Sequence, residues 1–82
     1  MKKGITVTVT GLNNSGKSRI SYIVKESLRV HGFNVEFDPS MDFDNEAHFN
    51  RVMRRNLDEA VEAISENTIV KVKEVQLDRG SM

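Results

Sequence analysis

The chain has 82 residues, 38% hydrophobic and 29% charged, and its twelve Lys and Arg balance its twelve Asp and Glu. That length predicts one small domain with a modest core, too poor in apolar runs for a membrane span or a secretory apolar segment. The zero net charge argues against a general nucleic-acid binder, and the absence of cysteine excludes disulfides, thiolate metal sites and cysteine catalysis. A cytoplasmic protein is the expectation. The balance hides an asymmetry: residues 1–35 carry six bases and one acid, and residues 36–50 carry five acids and no base.

Ile5-Thr6-Val7-Thr8-Val9-Thr10 alternates apolar and β-branched polar residues, which predicts a strand. Gly11 to Gly16 reads as a loop. Ser18 to His31 has Ile20, Ile23, Val24 and Leu28 at helical spacing, with Gly32 as its stop. Phe33 to Phe37 alternates again and predicts a second strand, ended by Asp38-Pro39-Ser40. An acidic loop, Met41 to Asn45, leads into one long amphipathic helix from Asn45 to Glu66. Its apolar face is Phe49, Val52, Met53, Leu57, Ala60, Val61 and Ile64. Asn67-Thr68 breaks it, and Ile69 to Leu77 reads as a third strand with a bulge near Lys73-Glu74. The order β-α-β-α-β predicts an α/β fold, a three-stranded and mostly parallel sheet with helices packed on it. Strand order stays open: sequential, or with the third strand beside the first. The threonines of the first strand, with Asn34 and Glu36 of the second, predict a thin, polar sheet face, solvated or covered by a second copy.

The octapeptide Gly11-Leu12-Asn13-Asn14-Ser15-Gly16-Lys17-Ser18 matches G-x-x-x-x-G-K-[ST], the Walker A phosphate loop, and it lies between a predicted strand and a predicted helix as that motif requires. The glycines permit dihedrals closed to other residues. The backbone N–H groups of the loop and of the following helix N-terminus then face phosphate oxygens. Lys17 reaches the β- and γ-phosphates, and the Ser18 hydroxyl ligates Mg²⁺. Arg19 follows directly and is placed to touch phosphate or base. The bland alternative is a glycine-rich turn with a serine cap and a solvated lysine.

The strand ITVTVTG, the loop GLNNSGKS and the passage LRVHGFNVEFDP resemble the opening of P-loop NTPases over residues 1–38. The likeness is strongest to small P-loop kinases of the adenylylsulfate-kinase or nucleoside-kinase kind. In length and layout the whole chain also resembles short P-loop proteins encoded by bacteriophages. The resemblance implies that Asp38, at the end of the second strand, meets a phosphate acceptor or the water shell of the metal. Three departures count against a complete kinase. The chain is about half the length of one. Its last strand is interrupted by Lys71, Lys73 and Glu74, so Asp78 makes a poor Walker B acid. The base-holding elements and the arginine-bearing lid have no counterpart.

Other side chains have structural alternatives. Asp42 and Asp44 read as a solvated turn, with Asp44 or Asn45 capping the long helix, against a role at the metal. Arg51, Arg54 and Arg55 read as a solvated helix face. His31 and His48 lack zinc-pair spacing. Tyr22, Phe33, Phe37, Phe43 and Phe49 fill a core or a dimer face rather than stack bases.

The expected function is binding of ATP, or another nucleoside triphosphate, with Mg²⁺. The site is Gly11, Asn13, Asn14, Ser15, Gly16, Lys17, Ser18 and Arg19, with Ser18 and Asp38 at the metal. Lys17 and Asp38 would carry any weak hydrolysis or phosphoryl transfer. The alternative is a non-catalytic regulatory module of phage type that keeps the loop as scaffold or nucleotide switch. As partners, the nucleotide is expected first, with a homodimer or a protein partner left open, and neither membrane nor nucleic acid.

Overall fold

The computed structural model describes residues 4–12 and 16–76. Three helices form, α1 (Lys17–Val30), α2 (Glu46–Arg54) and α3 (Leu57–Asn67), and both α2 and α3 pack on α1. None of them is long and apolar enough to cross a membrane.

Helix α1 begins at Gly16, whose φ of +89° is in the left-handed region, and the Ile20 N–H closes the first turn on the Gly16 carbonyl at 3.2 Å. Its end follows the expected glycine stop. Gly32, at φ +94°, donates to the Arg29 carbonyl at 2.9 Å, and Phe33 donates to the Leu28 carbonyl at 3.1 Å. This paired closure satisfies two of the last carbonyls, and only a residue tolerant of positive φ completes it without strain. Asn45 caps α2, its side-chain oxygen accepting the His48 N–H at 2.9 Å, as one of the two candidate caps.

Two expectations fail. The β-α-β-α-β sheet is absent: among the described residues there is no strand, and the chain is all-helical there. Residues 5–10, 33–37 and 69–76 run without regular structure, with Ile5 91% and Ile69 96% exposed. Alternation records a preference for a pleated, half-buried surface, and it is realised only when a neighbouring strand takes the backbone groups. Here the three segments find no such neighbour, and the buried face they would need is occupied by helix-to-helix packing. The second failure is the long helix over Asn45 to Glu66, which is two helices. Arg55 is extended (ψ 123°) and Asn56 is left-handed (φ 49°). Asparagine visits that region more readily than other non-glycine residues. The break re-aims α3, so that both short helices reach α1.

The core is small. Tyr22 of α1 and Phe49 and Met53 of α2 are buried, and Phe37, Phe43, Val52 and Leu57 pack around them. Phe33, by contrast, is exposed. The Phe49 ring meets Phe37 at 4.7 Å and Phe43 edge-on at 4.9 Å between centroids. The segment between α1 and α2 is therefore held by its aromatic side chains rather than by backbone pairing. Beside them lies Lys25, only 2% exposed, with Nζ 4.8 Å from the Tyr22 ring centroid. A buried ammonium needs partners of opposite charge. It has Glu26 at 2.7 Å and Glu46 at 3.0 Å. Glu46 also takes a very short ion pair from Arg29, whose other guanidinium nitrogen donates to the Val35 carbonyl at 2.9 Å. This network ties α1, the 33–45 segment and the start of α2 into one unit.

Candidate functional site

The site grows from the Gly16–α1 junction. A Cβ placed on Gly16 would meet the Ile64 side chain of α3 at 2.8 Å, so backbone and α3 are in close contact there. The first turn of α1 holds Lys17, Ser18 and Arg19, all half-buried, and contains no acidic residue. A helix start without acids is electrostatically open to an anion. Ser21 Oγ donates to the Lys17 carbonyl at 2.9 Å and stays within the helix.

Opposite this turn lies the 40–43 turn, closed by the Phe43 N–H on the Ser40 carbonyl at 3.1 Å. Together the two turns and α2 enclose a cavity of about 490 Å³, lined by Gly16, Lys17, Ser18, Arg19, Asp42, Phe43 and Met53. That volume lies within the range of small-molecule sites. Phe43 and Met53 give it an apolar floor, while Lys17, Ser18, Arg19 and Asp42 give it charge and hydrogen-bonding capacity. Arg19 has a second environment. Its Nη2 donates to the Arg55 carbonyl at 3.3 Å, at the break between α2 and α3. Its Nε is buried and has no hydrogen-bond partner among the described residues.

The expected site residues divide three ways. Gly16, Lys17, Ser18 and Arg19 come together on the cavity wall. Gly11 is exposed and outside that wall, and Asn13, Asn14 and Ser15 lie outside the described residues. Asp38 is exposed and does not line the cavity, whereas Asp42, read from sequence as a solvated turn, does. The turn that carries Asp42 is signalled by Pro39-Ser40, but its approach to α1 is a tertiary fact. Phe43 and Met53 were legible as apolar positions, not as cavity wall. Asp78 lies outside the described residues.

The remaining candidates have structural partners. Arg54 donates from Nε to the Tyr22 hydroxyl at 3.0 Å. The His31 Nδ1 lies 2.8 Å from the Ser27 carbonyl, and the His48 Nδ1 accepts the Asp44 N–H at 3.2 Å. Among the described residues no three His, Cys, Asp or Glu side chains cluster as a metal cage. The donor set of the cavity, one hydroxyl (Ser18) and one carboxylate (Asp42), fits a Mg²⁺ that arrives on phosphates and keeps most of its waters.

Compared with protein-family models, with curated proteins and with solved structures, the chain matches none of them.

Proposed function

We propose that the chain binds the polyphosphate of a nucleoside triphosphate, ATP in the first instance, in the cavity at the start of α1. The observation that carries this reading is the coincidence of sequence and place. The GLNNSGKS octapeptide runs directly into α1, and its last three residues line the larger cavity together with Arg19. Lys17 supplies the cation for the outer phosphates, Ser18 the hydroxyl for Mg²⁺, and the α1 N-terminus its backbone N–H groups and the positive end of its dipole. Asp42, on the facing turn, is the carboxylate placed to orient the water shell of the metal. Asp38, four residues earlier, stands off the wall. When bound, Mg²⁺ would neutralise phosphate charge. The chain's own residues grip and orient, and the reading stops at binding.

The test is thermal melting with and without Mg·ATP in the wild type and in Lys17→Ala. Ligand at 100 times its dissociation constant adds about 2.7 kcal/mol. For a domain of this size that raises Tm by about 10–20 degrees. The shift is expected in the wild type and lost in the variant. No shift with any nucleoside triphosphate would sink the reading.

A second reading, a regulatory module that uses the loop as a switch, is favoured by the exposed apolar side chains of the irregular segments, among them Ile5, Leu12, Met41 and Val72. Isolated exposed apolar residues are ordinary, but several on unpaired segments suit a partner surface. In that case sedimentation should show a nucleotide-dependent change in mass. An unchanged monomer with and without Mg·ATP would rule against it.

A further inference from the structure

A second, smaller cavity adjoins the first through one side chain. It measures about 150 Å³ and lies between α1 and α3, walled by Ile20, Val61, Ile64, Ser65, Thr68 and Val70, with Arg19 lining it as well as the larger cavity. Apart from Arg19 its wall is almost wholly apolar, the hydroxyls of Ser65 and Thr68 being the exceptions. Ile64 of this wall is also the side chain in close contact with Gly16, which lines the larger cavity. An apolar cavity of this size takes a six-membered aromatic ring.

We infer that this cavity is the seat of the nucleobase, with Arg19 as the residue that joins base site to phosphate site. Three observations converge. The cavity has the volume and the largely apolar wall that an aromatic ring needs. It lies beside the cavity in which the phosphates are proposed to sit, and a nucleotide needs both kinds of environment a short distance apart. Arg19 carries a buried Nε donor without a partner among the described residues. A buried donor left unpaired is costly. A ring nitrogen or exocyclic oxygen of a base supplies the missing acceptor, and the guanidinium face can also stack on the ring. Ser65 Oγ donates to the Glu62 carbonyl at 2.8 Å and keeps lone pairs free for an exocyclic amine. The ring fills the 150 Å³ space with its six-membered part, and a purine turns its five-membered part toward the sugar and the mouth.

The inference rests on the phosphate-site reading, and calorimetric titration separates the two. The ligands are Mg·tripolyphosphate, which has no base, and Mg·ATP. The proteins are wild type, Lys17→Ala and Ser65→Phe. Ser65 is exposed on α3, so the added ring reaches into the small cavity without entering the core. Wild type is expected to bind ATP about tenfold or more tighter than tripolyphosphate, the gain for burying one ring. Ser65→Phe is expected to bring ATP to within about twofold of tripolyphosphate, with tripolyphosphate unchanged. Equal binding of the two ligands by wild type overturns the base site and leaves the phosphate site standing. A preference for ATP that survives in a folded Ser65→Phe places the base elsewhere and also overturns it. Failure of wild type to bind tripolyphosphate, or binding that Lys17→Ala does not weaken, removes the phosphate site and the inference with it. Should Ser65→Phe not fold, Ser65→Leu, a smaller plug at the same wall position, takes its place with the same expected and overturning results.

Discussion

Phe49→Ala is expected to remove most of the chain's folding stability. Phe49 is 2% exposed and stands at the centre of the core, with Tyr22, Phe37 and Phe43 as ring neighbours. Truncating a buried Phe costs about 3–5 kcal/mol. Small domains bury a smaller share of their surface than large ones, which puts them near the low end of the usual range of about 5–15 kcal/mol. The aromatic pairs are lost with the ring. Phe37 and Phe43 are packed against Phe49 on a segment without regular structure, so their apolar packing goes with the ring, although the Arg29 bond to the Val35 carbonyl remains. Urea denaturation followed by far-ultraviolet circular dichroism measures the effect. A loss below about 1 kcal/mol would mean that Phe49 is not the centre of the core. Phe43 also floors the larger cavity, so if the proposed nucleotide site is there, the same truncation is expected to weaken it even where the fold is rescued by osmolyte.

The second large effect is the response to acid. Hydrogen bonding from Arg29, reinforced by Lys25 and opposed by burial, holds the Glu46 carboxyl down at about 2. Its ordinary value is 4.5. A group with a lowered pKa in the folded state stabilises that state above its unfolded pKa and loses the contribution as pH falls toward the folded value. The loss therefore falls between about pH 4.5 and pH 2. The shift corresponds to about 3 kcal/mol at most. Because the Glu46 side chain is 28% exposed, water screens part of that. Glu26 is held down as well, chiefly by its hydrogen bond from Lys25, and titrates in the same direction. Glu46→Gln leaves buried Lys25 with Glu26 as its remaining ion pair. Removing one partner of a buried pair costs about 3–5 kcal/mol, and the surviving Glu26 places this case at the lower end. Urea midpoints from pH 6 down to pH 2.5 should fall steeply in the wild type and much less in Glu46→Gln. Parallel profiles would show that the network contributes nothing to acid sensitivity.

What could be read from the chain follows the range of the interactions. The Gly32 stop and the Asn45 cap are set by groups within a few residues, and both are where the sequence puts them. The helical spans are right in kind for the same reason. The three alternating segments mislead because a strand is half of a pair, and alternation says nothing of whether the other half is present. The break at Arg55-Asn56 is hidden by its own periodicity. Val52, Met53, Leu57, Val61 and Ile64 keep helical spacing across it, although the helix axis changes. Lys25 is invisible for another reason. A lysine on an amphipathic helix is normally solvated, and its burial depends on Glu46, Phe37 and Phe49 brought in from elsewhere, beside Tyr22 of its own helix. At the candidate site, Gly16 to Ser18 are contiguous in the motif and Arg19 follows directly, so their shared place on one wall is local in the sequence. Asp42, Phe43 and Met53 come from two other stretches, which only the packing brings to the same wall.

The contact between Gly16 and Ile64 bears on how such a chain would drift over generations. Glycine at position 16 answers two demands, a positive φ and a neighbour that leaves no room for a methyl group. A lineage without the proposed ligand would still favour that glycine, since a side chain there is strained at its φ and displaces Ile64 of α3. Lys17 lines the larger cavity, so among descendants the lysine would follow the proposed ligand, whereas the glycine also answers to the contact between the helices.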